Sequence, residues 1–182
     1  MTCPINKCTL IAAMTLIAGC ASSEQPRGAA PPPNTRSTMP RPIPGVPVTP
    51  ADYVAQTSSM ELFLIGASEL ALRKSTNART REFAQIEITA HKGTSAQLSL
   101  EGRRVNLLPS ATLSPHHQAM LNALEQATDF DALYHLDELN VHQEAEALHS
   151  RYAAGGSSPT LRPVAAVILP IMQRHLRMLK YL

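Results

Sequence analysis

From Ala51 to Leu182 the apolar residues recur at spacings of three and four, with little of the strict alternation that marks half-buried strands. Ala and Leu dominate this stretch, aromatics are sparse and Trp is absent. The pattern predicts helices, and local signals divide them. Thr49-Pro50-Ala51-Asp52 reads as an N-cap, a proline at the first helical position and an acidic residue at N3, opening a helix to about Lys74. Asn77 caps a second helix that carries Phe83, Ile88, His91 and Leu98 and stops at Gly102. Ser114-Pro115 opens a short helix to about Ala127, Asp129 caps a long one ending at Gly155-Gly156, and Ser158-Pro159 opens the last. Each long helix is too apolar on one face to stand alone. The expected fold is therefore all-α, an antiparallel four-helix bundle over 51–182 with the short helix in the crossover between the second and third long helices.

Two positions interrupt these patterns. Gly66 falls mid-helix on the inner side with Leu62 and Leu70, where glycine costs about 1 kcal/mol relative to alanine. Close approach of a neighbouring helix explains it most simply, and room for a ligand is the alternative. Pro170 stands inside the last helix, freeing the carbonyl of Ala166 and favouring a bend five residues before His175.

Ahead of the helices the composition changes twice. Lys7 forms a positive n-region, Cys8 to Ile17 an apolar h-region, and Ile17-Ala18-Gly19-Cys20 closes it as a lipobox does. The run is shorter than the roughly 20 residues a bilayer span requires. The segment resembles the signals of bacterial lipoproteins, in which cleavage leaves an acylated N-terminal cysteine. Residues 1–19 are then a signal peptide, Cys20 is the lipid attachment site, and Ala21 rather than Asp implies outer-membrane sorting. Ordinary secretion with cleavage nearby is the alternative. Residues 20–50 hold the lipidated cysteine and a tether in which Pro31-Pro32-Pro33 is followed by Pro40, Pro42, Pro44, Pro47 and Pro50. Such a segment is expected to be extended and without a core. Cys3, Cys8 and Cys20 are the three cysteines of the chain, so none remains in the folded part for disulfides, thiol chemistry or a Cys-based metal site.

The formal net charge is +2, and the excess lies before Ala51. No basic stripe suggests nucleic acid as a partner. No phosphate loop, dinucleotide fingerprint or nucleophile-base pairing is present.

A family likeness emerges from an ordered set of short matches. Ser58-Ser59-Met60, Leu70-Ala71-Leu72-Arg73-Lys74-Ser75, Phe83-Ala84-Gln85 with His91, and His117-Gln118-Ala119-Met120-Leu121 are followed by Phe130-Asp131 with Tyr134, His142 and Leu148, then Leu169-Pro170 with His175-Leu176. Together they resemble the bacterial envelope proteins grouped as domain-of-unknown-function family 4142. The resemblance covers the whole helical part and implies a ferritin-like bundle in the cell envelope, without a common activity. Fold alone supplies none.

His91, His142 and His175 match family positions and are the candidates for chemistry. His175 shares a stripe with Val164, Ile168, Ile171, Met172, Leu179 and Leu182 and is expected to point inward. His91 lies near Ala84, Ile88 and Leu98 and is expected in the core or at its edge. His142 sits about a quarter-turn from the apolar stripe of Phe130, Tyr134, Val141, Ala145 and Leu148, which leaves it at a helix boundary or facing water. Inward imidazoles on different helices are a reasonable start for a transition-metal or haem site. Glu138, one turn before His142, adds a carboxylate, and Glu87 bears the same relation to His91. The plainer reading makes each histidine a core or boundary residue hydrogen-bonded to a neighbour.

A di-iron ferroxidase is disfavoured, because that pattern needs Glu-x-x-His on two helices. Ile88, Leu139 and Met172 occupy the positions three before the histidines. By the same resemblance, Leu64 and Gly66 stand where relatives carry carboxylates on the first helix, and Ala90 where they often carry Asp. His135, His142 and His149 form a heptad stripe expected on a solvated face, and His116-His117 are likewise expected to be exposed. The chain thus reads as a lipid-anchored, periplasm-facing helical-bundle envelope protein with a non-enzymatic binding or stress-related role. The alternative is a mononuclear metal-binding protein or metalloenzyme using His91, Glu138, His142 and His175. A third class, a structural partner of other envelope proteins, would need an exposed apolar patch.

Overall fold

The computed structural model describes residues 47–182, which form five helices and no strand. They are α1 Pro50–Lys74, α2 Ala78–Arg104, α3 Pro115–Glu125, α4 Phe130–Gly155 and α5 Leu161–Leu179. The signal segment, Cys20 and the tether as far as residue 46 lie outside the described residues.

The predicted caps are formed. Thr49 Oγ1 accepts the Asp52 N–H at 3.0 Å and donates to its carboxylate at 2.7 Å, Asn77 Oδ1 accepts from Arg79 N–H, Ser114 Oγ from His117 N–H, and Asp129 Oδ1 from Ala132 N–H. Ser158 serves the last helix from outside it, its hydroxyl accepting Leu161 N–H and its carbonyl Arg162 N–H, so α5 starts at Leu161 rather than at Pro159. α2 overruns Gly102 by two residues before Asn106 takes a left-handed conformation, φ 57°. The Gly102 carbonyl accepts the N–H groups of Val105 and Leu107 and closes the turn.

Each long helix packs on two others: α1 on α2 and α4, α5 on α2 and α4. The short α3 lies against α1 and α4. Tyr53, Phe63, Leu64, Phe83, Leu98, Tyr134, Tyr152, Leu161, Ile168, Met172 and Leu179 fill the interior. Pro170 lies within α5 on its exposed side, as does Ala166, so the carbonyl it frees can meet water. At Gly66 an added Cβ would meet the Leu121 side chain of α3 at 3.2 Å. The glycine thus answers to a close helix. No helix among the described residues is long and apolar enough to cross a membrane.

The interior also holds many polar groups. Glu61, Glu87, His91, His117, Glu138, His142, His149 and His175 are all buried. Buried ionisable groups persist only when paired, hydrogen-bonded or bound to a cation, and they therefore mark where chemistry can occur.

Candidate metal centre

α2, α4 and α5 bring Glu87, His91, His142 and His175 together. One ligand atom from each lies within 4.8 Å of every other. The imidazole centroids form a near-equilateral triangle, with His91 to His142 at 5.6 Å, His91 to His175 at 5.5 Å and His142 to His175 at 5.4 Å. Neighbouring rings are inclined by 66–69°. The Glu87 carboxylate lies among them, with Oε2 2.9 Å from His91 Nε2 and 3.3 Å from His142 Nε2, and Oε1 2.5 Å from His175 Nδ1. His142 Nε2 and His175 Nδ1 are 3.3 Å apart.

Neither Glu87 oxygen nor His91 Nε2 attains hydrogen-bond geometry despite these short separations. Buried polar atoms close together but poorly aligned for hydrogen bonding are what remains when several lone pairs point toward one shared point. The outer nitrogens fit the same arrangement. His91 Nδ1 is 2.9 Å from Glu61 Oε2 on α1, and His142 Nδ1 donates to the Glu138 carbonyl at 2.8 Å. Each contact engages Nδ1 on the outer side and leaves Nε2 as the nitrogen turned toward the other three groups, the usual support of a metal-bound histidine.

Electrostatics follow from burial and from these contacts. Burial pushes the Glu87 carboxyl up, but the facing imidazoles of His142, His175 and His91 reverse this and hold it well below the usual carboxylate range. Burial would lower His91, yet the Glu61 and Glu87 carboxylates hold it well above the ordinary histidine value. His175 is lowered, chiefly by burial, despite its contact with Glu87. Burial, reinforced by Glu87, pushes the Glu138 carboxyl well up.

His91 and His175 are buried where the helical patterns placed them. His142 is buried too, rather than at a boundary or facing water. The quarter-turn offset from its apolar stripe arises because it faces the polar centre, not the greasy part of the core. Glu138 is buried beside it, but its Oε2 reaches the outer nitrogen, 3.4 Å from His142 Nδ1, rather than joining the four inward groups. Glu87 takes the inward place, signalled only by its one-turn spacing from His91.

Glu61 had no signal in the sequence, where the family resemblance marked only Leu64 and Gly66 of the same helix. It is buried on α1 and accepts from the Thr94 hydroxyl at 2.6 Å and the Ser95 hydroxyl at 3.4 Å. Two further expectations of exposure are corrected. His149 is buried with Nδ1 3.1 Å from the Tyr53 hydroxyl, and His117 is buried with Nδ1 2.7 Å from Ser59 Oγ. Partners on α1 make each inward placement favourable. The heptad stripe is consequently interior except at half-buried His135, which pairs through Nε2 with the Leu179 carbonyl.

A family model described as a domain of unknown function, DUF4142, matches residues 36–182. The chain belongs to the DUF4142 family. No curated protein matches it. Among solved structures, this DUF4142 chain is similar to CopM in its Cu(II)-bound form, with a TM-score of 0.64 and 17% identity over 75% of this chain and 96% of that one. It is also similar to a DUF305 fragment from Deinococcus radiodurans, with a TM-score of 0.62 and 17% identity over 74% and 96% of the two chains. CopM in its Cu(I)-bound form matches with a TM-score of 0.62 and 15% identity over 73% and 94%. At such identities the likeness is one of fold.

Proposed function

We propose that this DUF4142 protein is an envelope protein whose antiparallel, ferritin-like four-helix bundle binds one divalent transition-metal ion through Glu87, His91, His142 and His175. The observation that carries the reading is the convergence of three imidazole nitrogens and a carboxylate within 4.8 Å inside a water-excluded core. The closed order of helix packing, α1 to α2 to α5 to α4 and back to α1, supports the bundle.

Three nitrogens and one oxygen form a donor set of borderline hardness, suited to Zn(II), Cu(II), Ni(II) or Fe(II) rather than to calcium or magnesium. The fold likeness to copper-bound CopM keeps copper among the ions to test first. Four protein donors can fill a tetrahedral shell, as in sites that hold a metal rather than open it to substrate. The reading is accordingly of a non-enzymatic binding role, carried by the histidines that the sequence made candidates. We further propose that Cys20 is acylated and holds the bundle by its Pro-rich tether at the outer membrane, facing the periplasm. This rests on the Ile17-Ala18-Gly19-Cys20 lipobox and on Ala21 after it.

The test is elemental analysis and isothermal titration of residues 47–182, purified without a histidine tag. One equivalent of Zn(II) or Cu(II), lost in His91→Ala and His175→Ala, is expected. A folded domain that takes up neither these ions nor Ni(II) nor Fe(II) would overturn the reading.

A further inference from the structure

Glu61 stands behind His91, on the side of the ring away from Glu87. Its Oε2 is 2.9 Å from His91 Nδ1 and also takes the Thr94 hydroxyl at 2.6 Å and the Ser95 hydroxyl at 3.4 Å. Three donors converging on one oxygen are the surroundings of an ionised, acceptor-only carboxylate. The side chain is buried, with 3% exposure, and among the described residues no Lys or Arg is paired with it. α1 thereby places a second negative charge one imidazole away from the proposed metal position.

We propose that Glu61 is a specificity-determining residue of the centre, favouring divalent over monovalent cations through its charge as well as positioning His91 through its hydrogen bond. The proposal rests on the metal-binding reading above. The two roles separate by ion charge. Fixing the tautomer and orientation of His91 helps every ion that His91 binds, to a similar degree. A unit negative charge at a fixed place attracts a divalent ion with twice the energy it gives a monovalent one. Removing that charge while keeping the acceptor therefore lowers monovalent affinity by a smaller factor than the divalent ion loses.

Glu61→Gln makes this change with little rearrangement. An amide oxygen can still accept from His91 Nδ1, and the Thr94 hydroxyl has the Ala90 and His91 carbonyls within 3.3 and 3.2 Å as other acceptors. Zn(II) and Ag(I) serve as the divalent and monovalent probes, measured by competition titration on wild type and variant. Zn(II) affinity is expected to fall by roughly 30- to 100-fold, in the range for loss of an outer-shell partner, and Ag(I) affinity by less than about tenfold.

Equal factors for the two ions, or no change in either, would overturn the charge role. Should Glu61→Gln fail to fold, Glu61→Asp carries the test, because it keeps the charge with a shorter reach. Its Zn(II)-to-Ag(I) affinity ratio is expected to stay within about threefold of wild type, and a tenfold shift would overturn the proposal. A wild-type domain that binds neither ion would remove the metal reading itself, a result distinct from wild-type binding that Glu61 does not modulate.

Discussion

Glu87 Oε1 lies 2.5 Å from His175 Nδ1, joining α2 to α5 through a contact that neither residue shares with solvent. In the metal-free protein this contact must itself satisfy part of a buried charge, because the same carboxylate also faces His91 and His142. Glu87→Ala removes the one carboxylate that faces all three imidazoles and leaves His91 with Glu61 alone. Removal of one partner from a buried ion pair typically costs about 3–5 kcal/mol. Urea denaturation of the metal-free domain should show a loss of this size, and titration should show no remaining metal uptake. A change in stability under about 1 kcal/mol would mean that Glu87 is not the counter-charge of the cluster.

Acid should destabilise the fold through His117, remote from the proposed ligand set. Burial, with His116 nearby, lowers the His117 imidazole from 6.5 to about 4. The folded value lies below the unfolded one, so the native state binds fewer protons between them. The stabilisation is complete above about pH 6.5 and is lost as pH falls toward 4. A shift of this size corresponds to about 3 kcal/mol at most. His117→Gln keeps a polar partner for Ser59 and removes the titration, so its stability between pH 6.5 and 4 should fall less steeply than that of wild type. Chemical denaturation across that range measures the difference, and parallel slopes would contradict it.

The helices were legible because their signals are local. Thr49, Asn77, Ser114 and Asp129 act within three residues of themselves, and each caps the helix it was expected to cap. The inward direction of His175 followed from the narrow apolar stripe of α5. α4 misled because part of its buried face meets the carboxylates and imidazoles of the centre, where polarity is complementary rather than absent. Apolar periodicity therefore placed His142 at a boundary and His149 on a solvated face. Glu61 was silent for a different reason: its partners His91, Thr94 and Ser95 lie 30 to 34 residues away, and helical spacing carries no sign of contacts between helices.

The proposed lipid anchor predicts a partition that the helical part alone would not have. Cys20→Ser removes the proposed acyl acceptor and changes no residue of the helices. In a bacterial host the full chain should sediment with outer membranes and incorporate labelled palmitate, and the variant should do neither. Palmitate incorporation that survives the substitution would place the lipid elsewhere. Unlabelled wild-type protein in the soluble periplasmic fraction would favour simple secretion.

Gly66 and Gly102 should respond to alanine in opposite directions. At Gly66 the added Cβ meets the side-chain methyl groups of Leu121 at 3.2 and 3.5 Å. Leu121 is only half-buried on the short α3, so it can move by a few tenths of an ångström. Alanine also gains up to about 1 kcal/mol of helix propensity in the middle of α1. Gly66→Ala is therefore expected to stabilise by about 0.5 kcal/mol, whereas a bulky Gly66→Leu should displace α3 and destabilise. At Gly102 the Cβ would come within 2.3 Å of the Leu107 carbonyl oxygen, a backbone atom fixed by the turn that ends α2. Gly102→Ala must open that turn and give up the Leu107 N–H bond to the Gly102 carbonyl, costing about 1–3 kcal/mol. Thermal melts of the two alanine variants, each compared with wild type, should move apart in sign. A rise for both would show that the turn after α2 yields to the added methyl, and a fall for Gly66→Ala as large as that for Gly102→Ala would show that α3 is held more rigidly against α1 than the half-exposed Leu121 implies.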